Sequence, residues 1–199
     1  IQNTHAICEY ATVNMGAKLR GDSVIGPWSK VGGEVGNSVF WGYSNKAHDG
    51  YVGNSVIGQW CNLGADTNTS NLKNNYGSVR AYNYAAREME DTGEMFVGLL
   101  MGDHSKCGIN TMFNTGTVVG VAANIFGAGY PPKHIPSFAW GGAEGFDTFD
   151  IDKCHELVAT VMGRRKVEYT DADADIIDLV FEATQSQRWW EEQPAGGLD

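Results

Sequence analysis

The chemistry this chain could do is concentrated around one histidine. His48 stands in the polar run Tyr43-Ser44-Asn45-Lys46-Ala47-His48-Asp49-Gly50. A polar cluster around one imidazole, between coils, is what a site could look like. The other imidazoles, His5, His104, His134 and His155, are scattered along the chain. A metal centre needs several ligands at regular spacing, so no metal site is expected from them. His104, in Gly102-Asp103-His104-Ser105-Lys106, reads as a solvent-facing residue. The cysteines Cys8, Cys61, Cys107 and Cys154 form no CxxC pair. They read as reduced thiols of a cytoplasmic protein, with Cys61 and Cys107 in the core. A second polar stretch, Asp66 to Asn75, is rich in Asn, Thr and Ser.

Such residues need a scaffold, and the sequence has a repeat. Ile7, Val13, Leu19, Ile25 and Val31 place an aliphatic residue at every sixth position. The spacing resumes two positions out of phase at Tyr51, Ile57 and Leu63, and returns at Met95, Met101, Cys107, Phe113, Val119 and Ile125. Two positions earlier stands a small residue: Ala11, Ala17, Ser23, Ser29, Ser55, Cys61, Gly93, Ser105, Thr111, Thr117 and Ala123; His5, Asp49 and Leu99 are exceptions. A six-residue period walks around a helix but holds one face of a short strand. Three such strands make a triangular coil that only its stacked neighbours can bury. The fold expected is an all-β solenoid, a parallel β-helix of hexapeptide repeats, over residues 1–129.

The repeat is interrupted between Val31 and Tyr51 and between Leu63 and Met95. Both breaks read as insertions on the binding face, the second a protruding loop at about 65–94 with Ser78 to Tyr84 extended. Residues 130–149, with Pro131, Pro132 and Pro136, read as an irregular linker after the last repeat. Residues 150–199 read as a small helical segment. Asp150 caps one helix there, and Thr170 or Asp171 a second, the pair covering the open end of the coil stack; the chain frays from about Glu191.

With 14 basic and 24 acidic residues the net charge is −10. Binding to nucleic acid needs clustered cations to neutralise phosphates, so that partner is not expected. No apolar run approaches the roughly 18 residues a membrane span needs, nor does a basic and apolar leader open the chain.

The run Asn45-Lys46-Ala47-His48-Asp49-Gly50-Tyr51-Val52-Gly53-Asn54-Ser55-Val56-Ile57-Gly58, followed by Cys61-Asn62-Leu63-Gly64-Ala65, resembles the acetyltransferase half of the bacterial bifunctional uridyltransferase/glucosamine-1-phosphate acetyltransferases. The resemblance spans about Gly26 to Asn71 and continues more loosely to about Gly129. It implies a left-handed coil, a homotrimer with sites between subunits, and acyl transfer from acetyl-CoA or another acyl-CoA to a sugar phosphate or nucleotide sugar without a metal. It places the base on His48, with acidic Glu34 nearby to orient it. Tyr51, Asn62 and Asn71 fall on substrate positions, and Ala65, Ala123 and Gly127 on positions near the acyl donor. The phosphate-binding arginine falls on Lys18, which has no planar fork. The phosphate-binding lysine falls on Gly36, with Lys46 as a candidate replacement, and Leu72 stands where the family has tyrosine. The nucleotidyltransferase half of that family has no counterpart here, which implies an N-terminal domain absent from this chain. These departures leave a second expectation open, a non-catalytic oligomerisation or regulatory β-helix. A third, a carbonic-anhydrase-like metal enzyme, is disfavoured by the scattered imidazoles.

Overall fold

The computed structural model describes residues 1–191; residues 192–199, where fraying is expected, lie outside the described part. The chain winds as a parallel β-solenoid with three faces. The first face stacks His5–Ile7, Ser23–Ile25, Val39–Gly42, Val56–Gln59, Leu100–Met101, Val118–Val119 and His134–Ile135. The second stacks Thr12–Val13, Lys30–Val31, Asn45–Lys46, Asn62–Leu63, Lys106–Cys107, Asn124–Ile125 and Ala139–Gly142. The third holds Lys18–Arg20, Glu34–Gly36 and Tyr51–Gly53, then Asn68–Thr69 and Met112–Phe113. Its two parts are joined by side chains: Tyr51 N–H donates to Asn68 Oδ1 at 2.9 Å and Gly53 N–H to Thr69 Oγ1 at 3.2 Å.

The interior is a set of columns fixed by register. Ile7, Ile25, Phe40, Ile57, Met101, Val119 and Ile135 stack down the first face. Leu19, Val35 and Val52 stack down the third. Each apolar residue is covered only by the coils above and below it, so burial is collective. The small residues do more than leave room. Ser23 Oγ accepts from Ser38 N–H, Ser38 Oγ from Ser55 N–H, and Ser55 Oγ from Leu99 N–H at 2.9 Å. A parallel ladder, Ser29 to Ser44 to Cys61, lines the first corner of the coil. These hydroxyls satisfy buried corner amides that the strands leave unpaired.

Several sequence expectations need correction here. There is no insertion between Val31 and Tyr51. The coil continues through Val35, Phe40, Lys46 and Val52, all buried, with the spacing of inward residues shortened to four from Val31 to Val35 and five from Val35 to Phe40. Tyr51 therefore faces outward and Val52 inward. The inserted loop begins later than position 65, because Thr67 and Thr69 are buried in the coil. It carries an antiparallel hairpin, Arg80–Asn83 with Glu88–Asp91, and Leu99 is the buried residue on its return while Met95 is exposed. Residues 130–149 are not an irregular linker: His134–Ile135 and Ala139–Gly142 add another coil, and Gly145–Thr148 folds back antiparallel on the second face.

The helices α1 (Ile151–Gly163) and α2 (Asp171–Ala183) are capped by Asp150 and by a capping box at Thr170. They do not cover the end of the stack. They lie along the first corner, where residues of positive φ form a column of rings, Tyr10, Trp28, Tyr43, Trp60 and His104. Cys154, Val158, Met162 and Ile177 pack there against Trp60, Ala122 and Phe138. Packing on that column buries apolar ring surface of the coil together with the apolar faces of both helices. His104 is thus no solvent-facing residue. It stacks on Trp60, and burial pushes its pKa down to about 4.

Candidate functional site

The second corner, between the second and third faces, carries His48, and much of the structure nearby goes into holding that corner. Asn14 Nδ2 donates to Ala47 O at 2.7 Å. Asp66 N–H donates to Asp49 O, and Glu34 N–H to Gly50 O, both at 3.0 Å. From inside the coil Lys46 Nζ donates to His48 O at 2.6 Å and, closer still, to Asp49 O. Lys46 sits in register between Val31 and the Leu63 coil and is 0% exposed. It therefore does not bind substrate or replace a phosphate-binding lysine. Burial lowers its pKa, offset in part by Asp49, Asp66 and Cys107. Strand alternation explains the error: an outward Asn45 puts its neighbour inside.

The imidazole of His48 is exposed and rims a groove of about 640 Å³ lined by Lys30, Asn45, Asn62, Ala65, Arg164 and Arg165, among others. Asn45 and Asn62 are register partners on the outer side of the second face, flanked by Lys30 and Lys106. The end of α1 forms the other wall. Arg165 donates to Trp28 O at 3.4 Å and to Asn45 Oδ1 at 3.2 Å, fastening the helix to the coil. Sequence reasoning missed Lys30, Asn45, Arg164 and Arg165. The signal available was the basic triplet Arg164-Arg165-Lys166 at the end of a helix in an otherwise acidic tail.

The remaining expected residues do not share this groove. Lys18, Glu34 and Tyr51 lie side by side in register on the third face. Arg20 holds the Glu34 carboxylate at 3.3 Å, and among the described residues Glu34 makes no side-chain bond to His48. Asn71 Nδ2 donates to the Tyr51 hydroxyl at 3.1 Å and to Asn54 Oδ1 at 2.7 Å. Burial, then the Glu34 charge, raises the Tyr51 pKa. Ala123 is fully buried, its amide on Ser105 Oγ, so it cannot line a donor site. Gly127 is exposed beside Gly141, Glu144 and Phe146, in a separate depression from the His48 groove. Among the described residues no three of His, Cys, Asp and Glu gather as a metal-binding group. Among the described residues no helix is long and apolar enough to cross a membrane.

No protein-family model matches the sequence, and no curated protein matches it. Among solved structures, the chain is similar to the PerB protein of Caulobacter crescentus, crystallised with CoA and GDP-perosamine. That likeness has 15% identity and a TM-score of 0.43 over 72% of this chain and 57% of that one. It is also similar to the acetyltransferase domain of PglB from Neisseria gonorrhoeae in complex with acetyl coenzyme A, at 13% identity and a TM-score of 0.41, over 72% and 57%. The UDP-N-acetylglucosamine acyltransferase of Bacteroides fragilis aligns over 97% of this chain and 79% of its own, at 15% identity and a TM-score of 0.36. The chain spans a little over half the length of the first two structures.

Proposed function

We propose that the chain is an acyltransferase domain moving an acyl group from acyl-CoA to a sugar phosphate or nucleotide sugar. The observation that carries this reading is the exposed imidazole of His48 on a corner held from four sides, at the edge of a polar groove. Neutral His48 takes the proton of the acceptor hydroxyl or amine as that group attacks the thioester carbonyl. The tetrahedral intermediate then collapses, expelling the CoA thiolate, which takes up a proton. A base so placed contributes on the order of a hundred- to ten-thousandfold. The amide of Ala65, on the groove wall, donates to no acceptor among the described residues and is available to the oxyanion. PerB with its CoA and GDP-perosamine, the PglB acetyltransferase domain with its acetyl coenzyme A, and the Bacteroides fragilis UDP-N-acetylglucosamine acyltransferase fit this activity.

Assembly as a homotrimer and a left-handed coil are part of the same proposal, as is a nucleotidyltransferase domain in the parent protein. Support for self-association comes from the outer side of the first face, where Val24, Val39, Val56 and Leu100 are register partners. Val24 is 37% and Val56 40% exposed, with Trp41 at 61% beside them. A cytoplasmic setting fits free cysteines.

The test is turnover of acetyl-CoA with a panel of amino-sugar phosphates and nucleotide sugars, with His48→Ala alongside. A loss of about a hundredfold or more in the variant is expected. A wild-type protein that assembles but transfers no acyl group to any of them would leave the β-helix as a scaffold. The split of Tyr51 and Asn71 from His48 within one chain is what favours that second reading.

A further inference from the structure

The cations of the second face stand out against the chain's overall charge. In a protein of net charge −10, Lys30, Lys106, Arg164 and Arg165 line a channel of two adjoining cavities. The His48 groove forms its first half. A second chamber of about 390 Å³ opens between α1 and the coil, and shares Asn45, Asn62, Arg164 and Arg165 with the first. No Asp or Glu lines either part. None of the four cations makes a salt bridge among the described residues. Lys106 uses one ammonium proton on His104 O at 2.7 Å, and Arg165 two of its five N–H groups on Trp28 and Asn45. The other donors, including all those of exposed Arg164, are unspent. Cationic donors that line a cavity free of carboxylates suit a polyanion, which would accept from several of them at once.

The inner chamber has a different wall. Tyr43 and Trp60, stacked at 4.0 Å, meet Leu157 and Val161 of α1 there. A ligand that fits both parts carries a multiply charged anion at the mouth and an apolar or planar body inside. We propose that this channel binds a nucleoside diphosphate, with Arg164, Arg165 and Lys30 on the diphosphate and the α1-roofed chamber around the attached group. The proposal rests on the acyl-transfer reading in one respect: CoA and a nucleotide sugar both contain that unit. It gives the C-terminal helices a role in binding, since without α1 neither arginine nor the apolar roof would be present.

The experiment is isothermal titration of the full chain with inorganic pyrophosphate, CoA and UDP, each at two salt concentrations. Arg164→Gln and the double variant Arg164→Gln/Lys30→Gln are titrated alongside. Arg164 makes no contact the fold needs, so these variants keep the wild-type melting curve, which is checked. Arg87→Gln, on the hairpin, is the charge control. Saturable pyrophosphate binding that weakens about tenfold or more in Arg164→Gln, further in the double variant and not in Arg87→Gln, is expected. Whichever of CoA and UDP displaces pyrophosphate and shows the same loss identifies the source of the diphosphate. If none of the three binds saturably, or if binding ignores Arg164 and Lys30, the proposal is overturned. Binding with this pattern but no acyl transfer would refute the enzymatic reading alone. Transfer unchanged in the double variant would refute the channel alone.

Discussion

Replacing Lys46 by methionine separates what holds the fold from what holds the corner. Met matches the aliphatic stem, so the column between Val31 and Leu63 stays filled. The change removes two bonds from an ammonium to the carbonyls of His48 and Asp49, each about 1.5–3 kcal/mol for a charged donor. It also removes the cost of keeping an ammonium out of water, which amounts to several kcal/mol. Asp49 O retains the amide of Asp66. The terms nearly cancel, and the unfolding free energy should change by less than about 2 kcal/mol. The pH dependence carries a second signature. Because burial lowers the Lys46 pKa below 10.5, the unfolded chain binds the extra proton between the folded value and 10.5. This group's contribution to stability therefore rises with pH across that interval, and the methionine variant lacks the rise. The corner loses its internal anchor, so acyl transfer should fall at least about tenfold while the fold persists, as small misplacements of a catalytic group cost rate. Urea unfolding at pH 7.5 and at pH 10, paired with turnover, measures all three quantities. A stability loss above about 4 kcal/mol, or turnover equal to wild type, would refute the reasoning.

Other perturbations test separate parts of the structure. In Gly32→Ala the new Cβ would lie 2.3 Å from Ala47 O, a backbone atom that must move. A cost of about 1–3 kcal/mol in chemical denaturation is expected, with turnover falling as the His48 corner shifts. In Gly53→Ala the atoms nearest the new Cβ would be the end of the Tyr51 ring, its hydroxyl at 2.1 Å. That ring end can swing away, so stability should hold while the Tyr51–Asn71 bond is lost, visible as a change in the tyrosine near-ultraviolet signal. Trp60→Ala opens the interface of α1 with the coil and should cost about 3–5 kcal/mol. His104 has a folded pKa of about 4 against an ordinary 6.5, so the folded state keeps it neutral where the unfolded state takes a proton. Its contribution is complete above pH 6.5 and is lost as pH falls toward 4, on the order of 3 kcal/mol; His104→Gln should flatten that stretch of the stability curve.

Much of the coil was legible because its signal is long and repeated. Ile25, Leu63, Phe113 and Ile125 lie inside as the six-residue spacing requires, and Asp150 and Thr170 cap their helices through the local bonds their side chains favour. What was missed follows from corner length. A step of four residues between the inward-facing Val31 and Val35, around the tight corner Gly32-Gly33, shifts the phase, and nothing in the local composition reports whether a slipped register is a short turn or an insertion. That one ambiguity concealed Val35 and Phe40 as core and turned Lys46 from a buried anchor into an apparent surface cation. The site was half visible for a related reason. His48 and Asn62 belong to adjoining coils and can be seen from the repeat, whereas Arg164 and Arg165 reach the groove from 100 residues downstream, through a helix packing that depends on the ring column at the first corner.

The hairpin insertion has a consequence for how the chain folds. Neighbouring strands of the first face are separated by 15 to 18 residues in sequence at most steps, but Val56 pairs with Leu100, 44 positions on. Closing that longer segment costs about 0.8 kcal/mol more in chain entropy than an ordinary coil, by the logarithmic dependence on loop length. The cost falls at one seam, with four coils before it and three after. Winding that proceeds coil by coil from either end should pause there, so the two blocks should exchange amide hydrogens at different rates, with the Ser55–Leu99 bond as the junction between them.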